Sequence, residues 1–218
     1  MSNLKSNIET VVDMISTVAK PGKRTMVAVA GPPGSGKSTL SEALVERLRA
    51  GSEPTLGKAA VLPMDGFHLD VEELKPLGLV SRRGAPNTFD PQGFLDLLKA
   101  ARKYSGDVRY PIFDRVQDRA IPDAGVLCEE TEIVVAEGNY LLLDAPVWRK
   151  MKPLFDLTVF LETPIATLEQ RLMDRWLNLG FSSEKAREKV YGNDLINARL
   201  VMLESTSADI RLNEETLV

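Results

Sequence analysis

The sequence predicts an α/β fold in which helices cover both faces of a central parallel sheet. Two observations lead to this prediction. Short, continuous apolar runs such as Thr25–Ala30 alternate along the chain with amphipathic helical segments. The 218 residues are enough for one domain with a full core. Because the sequence shows neither an internal repeat nor an interdomain linker, we expect residues 1–218 to form a single domain.

Each helix and strand follows from its local pattern. Apolar residues spaced three and four apart predict a helix over residues 4–19, which we expect to pack on its own sheet rather than on another subunit. Similar segments, with Pro91 at a helix start and Ser182 or Ser183 as an N-cap, predict helices over 37–51, 91–104, 164–179 and 182–203. Apolar runs predict strands at 25–30, 58–64, 133–136, 157–161 and 208–212, with a short strand or a loop at 107–114.

Composition excludes several classes of protein. With 27 basic and 31 acidic residues the net charge is −4, which argues against bulk binding of nucleic acid. The single cysteine, Cys128, allows neither a disulfide framework nor a thiolate metal site, and we expect it in the core. The longest uncharged stretch, Thr25–Gly36, is too short to span a bilayer, and the N-terminus lacks the apolar region of a signal peptide. We therefore expect a cytoplasmic protein with no membrane partner.

A phosphate-binding loop follows the first predicted strand. Its sequence matches G-x-x-x-x-G-K-[ST] at every fixed position. Glycines let backbone N–H groups wrap around phosphate oxygens, a lysine reaches the β- and γ-phosphates, and the serine hydroxyl ligates Mg²⁺. The alternatives are a glycine-rich turn without a ligand and a GTPase, although no N-K-x-D guanine motif is present. The pattern predicts ATP and Mg²⁺ as cofactors, held by Gly31, Pro32, Pro33, Gly34, Ser35, Gly36, Lys37, Ser38 and Thr39.

Two carboxylates follow predicted strands that should end beside this loop. Asp65 can accept a proton from an attacking hydroxyl, although an Asp-Gly pair is also a common turn. Glu137 can bind Mg²⁺ together with Ser38, and its alternative is a buried, hydrogen-bonded acid without a metal role. His68, the only histidine, lies three residues after Asp65 and is a candidate for contact with the acceptor or a structural hydrogen-bonding residue.

Taken together, several motifs resemble the uridine kinase, phosphoribulokinase and bacterial pantothenate kinase group of P-loop kinases. Within that group the sequence is most similar to the nucleoside or nucleotide kinase-like branch that includes fructose transport-associated kinases. The resemblance rests on the segments GPPGSGKST, MDGFH, RRGAPNTFD, YPIFDR, EGNYLLL, RLMDRW and ND-x-x-NA. The chain departs from uridine kinases at Phe67-His68, where those enzymes carry a tyrosine, so the resemblance specifies the chemistry better than the substrate.

The resemblance implies a three-layer P-loop fold with strand order 2-3-1-4-5, an acceptor-site insertion at about 66–122 and lid helices at about 164–203. Asp65 and Lys37 would be catalytic together with Arg171 and Arg175 of the lid. The two arginines are four residues apart and so share a helix face, where they could clamp phosphate oxygens or form a solvated face paired with nearby acids. The residues that the resemblance places at the acceptor site are His68, Arg82, Arg83, Phe89, Asp90, Tyr110, Asp114, Arg115 and Glu137.

The predicted function is ATP- and Mg²⁺-dependent transfer of a γ-phosphoryl group to a hydroxyl of a small sugar or nucleoside-type metabolite. The alternatives are a nucleotide-binding regulator without transfer activity and a pantothenate kinase-like enzyme. Arginines in the acceptor segment would suit an anionic acceptor, or they would pair with the acids beside them. The sequence is compatible with a monomer or a homodimer.

Overall fold

Five parallel strands form the centre of the protein in the computed structural model, which describes residues 2–51, 58–103 and 105–213. The strands of the chain are β1 (Thr25–Ala30), β2 (Ala59–Pro63), β3 (Val108–Asp114), β4 (Arg119–Leu127), β5 (Ile133–Gly138), β6 (Leu157–Glu162) and β7 (Ile210–Asn213). The central sheet has the order β2-β5-β1-β6-β7. These numbers differ from the predicted 2-3-1-4-5 because β3 and β4 form a separate hairpin. The five sheet strands counted alone run 2-3-1-4-5.

Helices cover both faces of this sheet, as the sequence predicts. They are α1 (Ser2–Val18), α2 (Lys37–Arg49), α3 (Val71–Leu74), α4 (Pro91–Arg102), α5 (Ile165–Asn178), α6 (Ser183–Lys189) and α7 (Leu195–Glu204). Side chains of β1 alternate between the faces: Val27 and Val29 pack with α1 and α2, whereas Met26 and Ala28 pack with α4. The expectation that the first helix packs on its own sheet is confirmed, because α1 is buried against α2, β1 and β6.

Two helical segments differ in detail from the prediction. The expected helix 182–203 begins as predicted, since the Ser182 hydroxyl accepts a hydrogen bond from the Lys185 N–H. It is interrupted by a five-residue π-helical turn, Val190–Asp194, before α7. The helix expected over 91–104 ends at Arg102, and its expected last residue, Tyr104, lies outside the described residues.

A two-stranded antiparallel hairpin, β3–β4, stands apart from the central sheet. The segment 107–114 is thus a strand, and its partner β4 was not predicted. The reason is that β4 is largely exposed and contains Pro122 and Asp123, so it lacks the apolar run of a buried strand. The expectation of a core position for Cys128, just after β4, is wrong, because this residue is exposed. None of the helices in the described ranges combines the length and apolarity needed to cross a membrane.

Candidate active site

The phosphate loop connects β1 to α2 at the carboxyl edge of the sheet. Gly36 precedes the helix with φ of +90°, a conformation that favours glycine. Since Gly36 has no side chain to cap α2, the first N–H groups of this helix are left for an anionic ligand. Lys37 is 8% exposed, and its Nζ donates to the Pro32 carbonyl at 3.1 Å. Burial lowers the pKa of Lys37, while the charges of Glu137 and Asp65 oppose this shift.

The two predicted carboxylates meet beside this loop. Glu137 lies at the end of β5, in register with Val29 of β1 and Pro63 of β2. Asp65 follows two residues after Pro63, in a 3-10 turn. Burial and the Asp65 charge raise the pKa of Glu137 to about 7, although Lys37 and a hydrogen bond from Ser38 lower it. The structure therefore brings a buried carboxylate, a lysine and the serine hydroxyl to the lining of one cavity.

One cavity of about 310 Å³ joins these groups to two arginines. Arg115, at the end of β3 in the hairpin, has Nη2 at 3.6 Å from Asp65 Oδ2, and Arg175 comes from α5. Gly138 and Asn139, which belong to the EGNYLLL segment but were not predicted as site residues, also line it. The sequence feature that could have identified them is their position directly after Glu137. The complete lining is Pro33, Gly34, Gly36, Lys37, Ser38, Thr39, Asp65, Arg115, Glu137, Gly138, Asn139 and Arg175.

A second cavity, of about 290 Å³, lies against the same loop and contains Arg171. The Arg171 Nη1 donates to the Gly34 carbonyl at 3.3 Å. The structure thus does not bring Arg171 and Arg175 into one cavity, although both lie on α5. The remaining lining residues come from distant parts of the chain, so no local sequence signal identified Leu4, Asn7, Leu161 and Leu212.

The segment predicted to bind the acceptor contains a cluster of aromatic rings and two arginines that bind other residues of the protein. The His68 ring lies 4.0 Å from the Phe89 ring and 4.9 Å from Phe113, between centroids, and burial lowers the pKa of His68. Arg83 pairs with Asp118. Arg82 donates to the Gly192 carbonyl at 2.9 Å. Neither arginine lines the 310 Å³ cavity, whereas Arg115 does.

Three other residues predicted at the acceptor site do not line this cavity and take part in the surrounding structure. Asp90 caps α4 by accepting a hydrogen bond from the Gly93 N–H at 2.9 Å. Asp114 accepts from the N–H groups of Val116 and Gln117 in the hairpin turn. Tyr110 is buried in the core. An aspartate followed by a proline is a common start of a helix, with the aspartate as the N-cap. The capping role of Asp90 could therefore have been predicted from the sequence.

Residues 26–189 match the model of the phosphoribulokinase / uridine kinase family. The chain belongs to this family. Membership makes it a P-loop kinase and implies the use of ATP, typically with Mg²⁺.

Individual relatives are similar over most of their length. A protein of Schizosaccharomyces pombe named "Putative uridine kinase C227.14" is 34% identical over 204 residues, which cover 89% of this chain and 85% of the relative. The Escherichia coli K12 protein YggC is 34% identical over 195 residues, covering 87% and 78%. A crystal structure named "putative fructose transport system kinase" from Silicibacter sp. TM1040 is 42% identical, covers 97% of this chain and 99% of its own, and superposes with a TM-score of 0.86.

Proposed function

We propose that this chain is a kinase that transfers the γ-phosphoryl group of ATP to a hydroxyl of a small sugar or nucleoside-type metabolite. One observation carries the proposal: Lys37, Asp65, Glu137 and Arg175 line the same cavity as the phosphate loop. A regulator that only binds nucleotide needs the loop and the lysine but not the second carboxylate, Asp65, beside them. The family membership and the names of the two kinase relatives support a hydroxyl acceptor of this kind.

The donor set of the cavity fits ATP with Mg²⁺. The uncapped start of α2 and the Lys37 ammonium offer donors and positive charge to phosphate oxygens. Among the described residues there is no group of three or more His, Cys, Asp or Glu side chains that could hold a metal ion. Mg²⁺, which would neutralise phosphate charge, would therefore be held by Ser38 and Glu137 and complete its coordination with nucleotide oxygens and water.

Asp65 is the base in this proposal. It would orient the acceptor hydroxyl and take its proton as the new oxygen–phosphorus bond forms and the bond to the departing ADP oxygen breaks. Arg115, 3.6 Å from Asp65, would hold that carboxylate directed into the cavity. Arg175 would stabilise the charge that spreads over the transferring group.

Replacement of Asp65 by Asn tests the proposal. We expect MgATP binding, measured by calorimetry, to persist, while acceptor-dependent ADP release falls on the order of 10²–10⁴-fold. The acceptor would first be found by screening fructose, uridine, pantothenate and related metabolites for ADP release. Asp96→Asn is the matched control, because Asp96 also pairs with a cation, Lys99, but lies exposed on α4.

Two outcomes would contradict the proposal. ADP release at the same rate with and without every acceptor would indicate an ATPase rather than a metabolite kinase. Undiminished transfer by the Asp65→Asn variant would show that another group takes the proton.

A further inference from the structure

The π-helical turn Val190–Asp194 lies between the lid helix α5 and the segment predicted to bind the acceptor. On one side is α5, which carries Arg175 into the cavity. On the other side are residues 82–84, here called the acceptor loop. Turns of π-helix are rare, and they occur frequently at functional sites. This one contains the Asn-Asp pair of the ND-x-x-NA motif, for which the proposed chemistry gives no role.

The turn holds the acceptor loop through hydrogen bonds to its backbone and side chain. Asn193 Nδ2 donates to the Arg83 carbonyl at 2.7 Å. In return, Arg82 Nη1 donates to the Gly192 carbonyl at 2.9 Å. The orientation of the Asn193 amide is fixed by a second hydrogen bond, in which Asn197 Nδ2 donates to Asn193 Oδ1 at 3.2 Å. Both asparagines are buried, so the hydrogen bond between them competes little with water.

The next residue of the turn, Asp194, holds the lid helix. Its Oδ2 accepts a hydrogen bond from Trp176 Nε1 at 2.6 Å, and Trp176 directly follows Arg175. Burial raises the pKa of Asp194, while Trp176, Arg175 and Lys189 lower it. Lys189 also lies 4.7 Å from the centre of the Trp176 ring. The Asp194 carboxylate is therefore bound to the residue next to Arg175 and lies near the charges of Arg175 and Lys189.

We propose that Asn193 and Asp194 are positioning residues that couple the placement of Arg175 in the cavity to the acceptor loop, so that the lid helix and this loop become ordered together. This inference rests on the proposed kinase function. Its consequence is that the arginine stabilises transfer fully only when the acceptor side is in place, which limits transfer to water.

Hydrogen exchange with Mg²⁺ and the non-hydrolysable ATP analogue AMP-PNP tests the coupling without an acceptor. Because Arg171 and Arg175 lie beside the phosphate loop, we expect the analogue to slow exchange in α5. In the wild-type protein it should also slow exchange at residues 80–90, by about tenfold, the factor that one buried hydrogen bond supports. Asn193→Asp removes the donor to the Arg83 carbonyl with almost no change in volume. It should keep the slowing in α5 and reduce that at 80–90 to less than about twofold.

A second variant interrupts the connection at its other end. Trp176→Phe removes the hydrogen bond to Asp194 and should uncouple residues 80–90 in the same way, so the test does not depend on the folding of one variant. Asn178→Asp is the control. It makes the same chemical change at an exposed position near the end of α5 and should behave as wild type.

The outcomes separate this inference from the function on which it rests. Slowing at 80–90 that persists in both variants, or that is missing in a wild-type protein that binds the analogue, would overturn the coupling alone. A wild-type protein that does not bind Mg²⁺ and AMP-PNP would overturn the proposed function and the coupling with it.

Discussion

Replacing Glu137 by Gln should abolish a proton release that accompanies binding of MgATP. Burial and the Asp65 charge raise the pKa of Glu137 to about 7, and a carboxyl group must lose its proton to bind a metal ion. With this pKa, Glu137 carries about 0.9 of a proton at pH 6 and about 0.1 at pH 8. The wild-type protein should therefore release about 0.9 proton more than the variant at pH 6, and about 0.1 more at pH 8.

Titration calorimetry in buffers of different ionisation enthalpy measures this proton count. Subtracting the result for Glu137→Gln removes the proton that the nucleotide itself releases, so the difference reports on one side chain. A difference that is the same at both pH values, or that is near zero at pH 6, would refute the placement of Glu137 at the metal site or its raised pKa.

The raised pKa has a separate consequence for folding. Between pH 4.5 and about 7 the folded protein keeps a proton on Glu137 that the unfolded chain has lost. The contribution of Glu137 to the free energy of unfolding is therefore complete below pH 4.5 and falls as the pH rises through this window. Urea unfolding of wild type and Glu137→Gln across the window should show the wild type losing stability relative to the variant.

Three further substitutions separate the roles of neighbouring residues. Arg175→Ala should lower kcat for acceptor-dependent ADP release by on the order of 10²–10³ with little change in the Kd for MgATP; an unchanged kcat would exclude it from the transition state. Arg171→Ala should have the opposite pattern, a Kd raised by about tenfold with a small change in kcat, because it contacts the loop at the Gly34 carbonyl. Gly66→Ala should lower Tm by about 3–10 °C, because its Cβ would lie 2.0 Å from the Pro111 carbonyl oxygen; an unchanged Tm would contradict this close approach.

The centre of the sheet was predictable because its inner strands β1, β5 and β6 are buried on both faces. The residues 25–30 and 133–136 form short, continuous apolar runs, and such runs between helical segments are typical of buried parallel strands. The hairpin strand β4 was not predictable in this way. It forms by pairing with β3, with a shift of register between Tyr110 and Ile112, and neither the pairing nor the shift is encoded in a local periodicity of β4.

The candidate site was predictable to the extent that its residues follow strand ends. Asp65 and Glu137 meet because parallel strands end at one edge, and the loop motif fixes Lys37 beside them. Helix spacing alone predicts that Arg171 and Arg175 share a face, but it does not predict that this face spans two cavities. That division depends on where the helix crosses the phosphate loop, which tertiary packing decides.

The separation of the β3–β4 hairpin from the central sheet has a consequence for how such an enzyme can change during evolution. Arg115 and the aromatic Phe113 come from the hairpin, whereas the phosphate loop, Asp65 and Glu137 come from the sheet and the connections at its edge. Mutations at the exposed positions of the hairpin can therefore accumulate without disturbing the register of the five parallel strands. Selection for a new metabolite could redesign one ribbon while the machinery that handles phosphate is inherited intact.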